Sequence, residues 1–115
     1  MFIQNAVQTL YSALSAATTQ ATAVALVTLT KGGRFRQMSV DNSTNEDVFI
    51  VVGGQTGGSF TGASGQLWDV VRAGTFKILD AGSDDFWFTG TIYCYAPLAA
   101  SMTSGDVTIG SLAAS

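Results

Sequence analysis

Hydrophobic positions recur with two different periods along this chain. Near the start, Ile3, Val7, Leu10, Leu14 and Ala17 follow one another at spacings of four and three, with Phe2, Ala6 and Tyr11 widening the stripe. Gln4, Gln8, Ser12 and Ser15 fall on the opposite side. That period predicts an amphipathic helix over residues 2–17, or else an extended arm, within an N-terminal segment of residues 1–20. A helix this short is marginal alone in water, so the segment must dock on its own domain or on a neighbouring subunit.

From residue 21 onward the period changes to that of strands. Residues 22–30 (TAVALVTLT) are rich in β-branched side chains and end at Lys31-Gly32-Gly33. Residues 34–40 place Arg34 and Arg36 on one side of a pleat and Phe35 on the other. Residues 41–45 (DNSTN) carry turn chemistry, because Asx and hydroxyl side chains satisfy nearby backbone donors. The apolar run 47–52 (DVFIVV) suits a strand that is central or buried on both faces. Six glycines in residues 53–66 predict a long loop in which Phe60 stands alone. Strands follow at residues 67–71 and 75–79, joined through Arg72-Ala73-Gly74 as a hairpin turn, and then a polar turn at 80–85. Residues 86–96 (FWFTGTIYCYA) place Trp87, Tyr93 and Tyr95 on one face and Phe88, Ile92 and Cys94 on the other. Both faces are apolar or aromatic, as in a strand covered on both sides, and Pro97 ends the ladder. A last strand covers residues 106–109. The expectation is an all-β fold over residues 21–115: an antiparallel β-sandwich or jelly-roll-like barrel of six to seven strands, preceded by the N-terminal helix or arm.

Charge sharpens this picture. Charged residues make up 11% of the 115 residues, against roughly 25% in ordinary soluble domains. No charge occurs in residues 1–30, and Asp106 is the only one in residues 86–115. A chain that omits the charges which keep edge strands apart either tolerates poor solubility or covers much of its surface with partners, and the second is the expectation. The net charge of −3 and five scattered basic residues argue against nucleic-acid binding. No apolar run is long enough for a membrane span, and the start lacks the pattern of a signal peptide, so synthesis in the cytoplasm is expected.

Candidate chemistry is sparse. Without histidine, the commonest general base and metal ligand is missing. Cys94 falls in an apolar strand, which predicts a buried, unreactive thiol. Asp41, Ser43 and Asn45 sit at alternating positions of a calcium loop, but Glu46 replaces its glycine and Val52 its final glutamate. Asp80, Asp84 and Asp85 have the chemistry to ligate a cation at a turn, but turn formation and solvation explain them at least as well. The glycine-rich stretch lacks the Lys-Ser/Thr of a phosphate loop. Asn42-Ser43-Thr44 fits a glycosylation sequon, without a secretion signal to give it meaning. No catalytic, cofactor or metal residue is predicted, and the chain is read as non-enzymatic. An aromatic row at Trp87, Tyr93 and Tyr95 suits a core or interface, and alternatively the stacking of sugars.

Residues 34–50 (RFRQMSVDNSTNEDVFI), in which a strand ends in an Asn-Ser/Thr turn and the next begins with Asp47-Val48, resemble small β-sandwich virion proteins of tailed bacteriophages. Residues 74–80 (GTFKILD) and 90–96 (GTIYCYA) resemble the closing strands of such proteins. The resemblance implies a virion structural protein synthesised in the host cytoplasm. It would be a capsid decoration or cement protein bound to copies of itself and to the major capsid protein, or a head–tail or tail component. A carbohydrate-binding or adhesin-like module is the alternative of another class. The expected contact residues are Phe2, Ile3, Val7, Leu10, Tyr11, Leu14, Arg34, Arg36, Phe60, Trp87, Tyr93 and Tyr95.

Overall fold

The computed structural model describes residues 3–29, 35–52, 65–80, 88 and 90–112. Among the described residues there are eight strands: β1 (Ile3–Leu10), β2 (Val24–Thr28), β3 (Gln37–Asn42), β4 (Val48–Val52), β5 (Gln66–Val71), β6 (Thr75–Asp80), β7 (Thr91–Tyr95) and β8 (Asp106–Leu112). They form two four-stranded antiparallel sheets, ordered β1-β8-β3-β6 and β2-β7-β4-β5. The pairs 1–8, 2–7, 3–6 and 4–5 are those of a ribbon folded once and wrapped around itself, which is the jelly-roll order. Only β4 and β5 are consecutive strands of one sheet, so every other connection crosses the sandwich.

The core lies between the sheets. Met38, Val40, Leu79, Val107 and Ile109 face Leu26, Val48, Ile50, Val71, Ile92 and Cys94 across it. β4 is central and has four of its five residues buried, as its continuous apolar run predicts. At 20–30 cal/mol per Å² of apolar surface, burial of this kind supplies the main driving force.

Three differences from the sequence expectation have physical causes. Residues Ile3–Leu10 are a strand, not the amphipathic helix, and of residues 3–17 only Tyr11–Leu14 is helical, as a 3-10 turn. Pairing with β8 satisfies the backbone of β1, and a bulge between Gln4 and Val7 interrupts the two-residue alternation that would have revealed a strand. Strand pairing of this kind overrides weak local preference. The eighth strand arises from this segment, so the count exceeds six to seven. Leu14 and Ala17, both fully buried, build the segment into the core.

The connection Arg72–Gly74 is tight, with Gly74 at φ 70°, but it passes from one sheet to the other instead of closing a hairpin. Of the strand expected over residues 86–96, β7 covers Thr91–Tyr95, and Gly90 just before it bends the chain at φ 71°. Phe88 instead forms an isolated bridge with Phe35, and Trp68 packs edge-on against the Phe88 ring at 5.4 Å.

Candidate interaction surfaces

A polar cluster at one end of the sandwich sets the positions of the outer surfaces. Asn42, the last residue of β3, is fully buried. Its Nδ2 donates to the carbonyl oxygens of Glu46 (2.8 Å) and Val71 (3.0 Å), and its Oδ1 accepts from the backbone and hydroxyl of Thr44. Asp47 holds the next crossover, accepting from the Ala73 N–H at 2.9 Å and pairing with Arg72 at 3.1 Å. Asn45 bridges to residues before β8 through the Ser101 carbonyl and the Thr103 N–H, each at 2.9 Å. Ser43 and Gln8 both bond the carboxylate of Asp106. The turn that the sequence marks by composition thus ties together the crossovers at this end. It also disposes of the sequon, since the Asn42 amide is inaccessible and fully engaged.

The outward face of the β2-β7-β4-β5 sheet carries an aromatic row. Tyr93 and Tyr95 alternate with buried Ile92 and Cys94, so one face of β7 enters the core and the other is half-buried at the surface. Phe49 of β4 pairs with Tyr95, their ring centroids 5.0 Å apart at a tilt of 35°. A shallow groove of about 240 Å³ adjoins them, lined by Glu46, Asp47, Phe49, Pro97 and Leu98. That is smaller than the roughly 300–1,000 Å³ of small-molecule pockets.

The other sheet exposes apolar residues at its margins. Phe76 and Ile78 on the edge strand β6 are 60% and 54% exposed, and Leu10 on the opposite edge strand is 59% exposed. Phe76 faces Asp41, and Ile78 faces Ser39, on the outward side. On the inward side of β6, Lys77 reaches across the open flank to Asp69 of β5 at 2.9 Å. Burial raises the Asp69 carboxyl, but the Lys77 hydrogen bond, the Val70 N–H and the Lys77 charge outweigh it and hold it below the usual carboxylate range. An inward lysine on an edge strand discourages pairing with a further strand.

Of the residues expected to make contacts, Leu10, Tyr11, Tyr93 and Tyr95 are at least partly accessible. Val7 is half-buried against the core, and Leu14 belongs to the core itself, so it is removed from the contact set. Ile3 pairs with Leu112 through the β1–β8 ladder, and Arg36 is half-buried at the entry to β3. Phe2, Arg34, Phe60, Trp87, Asp84 and Asp85 lie outside the described residues, as does most of the glycine-rich stretch. Cys94 is buried, which pushes its thiol up to about 12. Among the described residues no three acidic or sulfur ligands converge on one point, and no helix is long and apolar enough to cross a membrane. Phe49, Phe76, Ile78 and Leu98 were missed from sequence. The alternation Phe76/Ile78 against Lys77/Leu79 carried a signal, but both faces read as partly apolar.

No protein-family signature, curated protein or solved structure matches this chain.

Proposed function

We propose that this chain is a non-catalytic virion structural protein, a capsid decoration or cement subunit that stabilises a phage shell through repeated protein–protein contacts. The observation that carries the reading is the presence of outward apolar and aromatic side chains on both sheets of a charge-poor sandwich. Phe76 and Ile78 stand on one, and Phe49, Tyr93 and Tyr95 on the other. Apolar surface of this sort is the usual material of interfaces, where repetition turns modest contacts into firm attachment. The jelly-roll order supports it by analogy of fold alone, since that architecture recurs in viral capsid proteins but also in lectins and cupins. A head–tail or tail subunit would use the same surfaces.

Density-gradient fractionation of the natural source, with the chain quantified by mass spectrometry, tests this reading. The chain should band with particles in many copies per particle. Its confinement to the slowly sedimenting soluble fraction would overturn the proposal.

The half-exposed row of Phe49, Tyr93 and Tyr95 also favours a second reading, a carbohydrate-binding module in which sugar rings stack on the aromatic face. Saturable glycan binding by the purified protein, lost in Tyr93→Ala with the fold intact, would select that reading.

A further inference from the structure

We propose that β1 is an exchangeable strand, which leaves the β8 edge of its own sandwich and pairs in the same register with β8 of a second copy. The inference deepens the reading of the chain as an assembly subunit, and rests on it.

The argument begins with burial. Among the described side chains of β1, Ala6, Gln8 and Leu10 are exposed and Val7 and Thr9 only half-buried. Each of the other seven strands places at least one buried residue in the sandwich. Over residues 6–10, β1 adds to the core only the half-buried Val7 and is otherwise held by the Gln8–Asp106 bond and by its backbone ladder with β8, which has six register pairs interrupted by a bulge. Segments with few buried contacts open at the lowest free energy.

The base of the strand is anchored differently. Leu14 and Ala17 are fully buried, and the Ala96 N–H bonds the Ala17 carbonyl at 2.8 Å. The hinge of the exchange therefore lies ahead of Leu14, in residues 11–13, and opening it releases the Tyr11 N–H from the Gly105 carbonyl (3.1 Å) while the remainder of the sandwich stays closed. A detached β1 uncovers the edge of β8, whose hydrogen-bonding groups need another strand. The partner that fits is already visible: a second β1, with the same donors, acceptors and register. Exchange regains in trans every pair lost in cis. It is favoured where copies are held at high local concentration, as on a shell.

Charge points the same way. Lys77 and Asp69 guard the edge strands β6 and β5, whereas β1 has no charge and residues 1–30 have none. Nothing in β1 repels a second copy.

Gln8 and Thr108 face each other in the β1–β8 register and lie outside the core. Facing antiparallel residues have Cα atoms about 4.5–5.5 Å apart, within disulfide reach. Full-length Gln8→Cys and Thr108→Cys proteins, purified separately, are mixed under mild oxidation and read by non-reducing electrophoresis and mass spectrometry. Exchange predicts an 8–108 heterodimer at least roughly fivefold above that formed when Gln8→Cys is mixed with Ala100→Cys, whose cysteine is exposed but off the register. The double variant Gln8→Cys/Thr108→Cys, oxidised when dilute, should be a locked monomer that associates again on reduction. Cross-linking at the control level overturns the exchange. If light scattering then still shows wild-type association, or the locked variant still joins particles, the assembly reading stands without it. A melting temperature of the reduced double variant close to wild type establishes that the fold is intact.

Discussion

The side-chain Nδ2 of Asn42 lies 3.0 Å from the carbonyl oxygen of Val71, joining the last residue of β3 in one sheet to the last residue of β5 in the other. Both residues are fully buried. The amide works beside the bonds that Asp47 makes with Ala73 and Arg72 and Asn45 with Ser101 and Thr103, which tie the crossovers at the same end.

Asn42→Ala should therefore cost about 3 kcal/mol, since buried carbonyls and the Thr44 donor lose their partner. Asn42→Asp should be at least as damaging, because a carboxylate cannot donate to Val71 and would be charged in the core. Urea unfolding measures both. A loss below about 0.5 kcal/mol for the alanine variant would show that the network does not hold the sheets.

Gly105 and Gly74 make a matched contrast. Both have positive φ, but a Cβ on Gly105 would lie 2.1 Å from the Ser43 carbonyl oxygen, whereas one on Gly74 meets nothing within 4 Å. Gly74→Ala should cost about 1 kcal/mol from backbone strain alone. Gly105→Ala should cost about 3 kcal/mol or more, because the backbone at Ser43 has to move. Equal losses in thermal unfolding would mean that the Ser43 contact is not restrictive.

The Cys94 thiol supplies an alkaline limb to stability. Its folded value, about 12, lies above the ordinary thiol value of 9.0, so the folded state holds the proton longer. The stabilisation is complete below the unfolded value and is lost as pH rises from there towards the folded one, at up to about 1.4 kcal/mol per pH unit. Cys94→Ala should lose some stability at neutral pH through a small cavity, yet show a flatter decline above pH 9 than the wild type. Parallel curves between pH 8 and 11 would contradict the burial of this group.

Lys77→Val should affect solubility more than stability. The Lys77–Asp69 pair is partly solvated, and such pairs contribute roughly 0–1 kcal/mol. Asp69 is held below its usual range, so the contribution of the pair is present at neutral pH and disappears as pH falls through the folded value. Without the lysine, β6 becomes an unguarded edge, and turbidity at high concentration should rise while the unfolding midpoint moves little. A soluble variant with a much lower midpoint would reverse this assignment.

Phe76→Ser/Ile78→Ser tests the outward patch itself. With 60% and 54% of these residues already exposed, the double change should shift stability by about 0.5 kcal/mol or less per site. Copies of the chain per particle should fall sharply in the gradient experiment. Unchanged incorporation would remove β6 from the contact surface.

Local chemistry determined much of this protein by itself. The turn at residues 41–45, the central run 47–52 and the buried thiol are legible because each depends on neighbours in sequence: a side chain reaching its own backbone, or a strand uniformly apolar. The tertiary structure decided which strands are partners and which face of each is wet. β1 reads as a helix until β8 supplies its ladder, for a strand's hydrogen bonds come from a segment about a hundred residues away. Phe76 and Phe49 reach the surface, and Leu14 the core, only through the wrapping of the ribbon. Periodicity reports that a side chain has apolar company. The company itself is chosen by packing across the sandwich, where distance along the chain has no meaning.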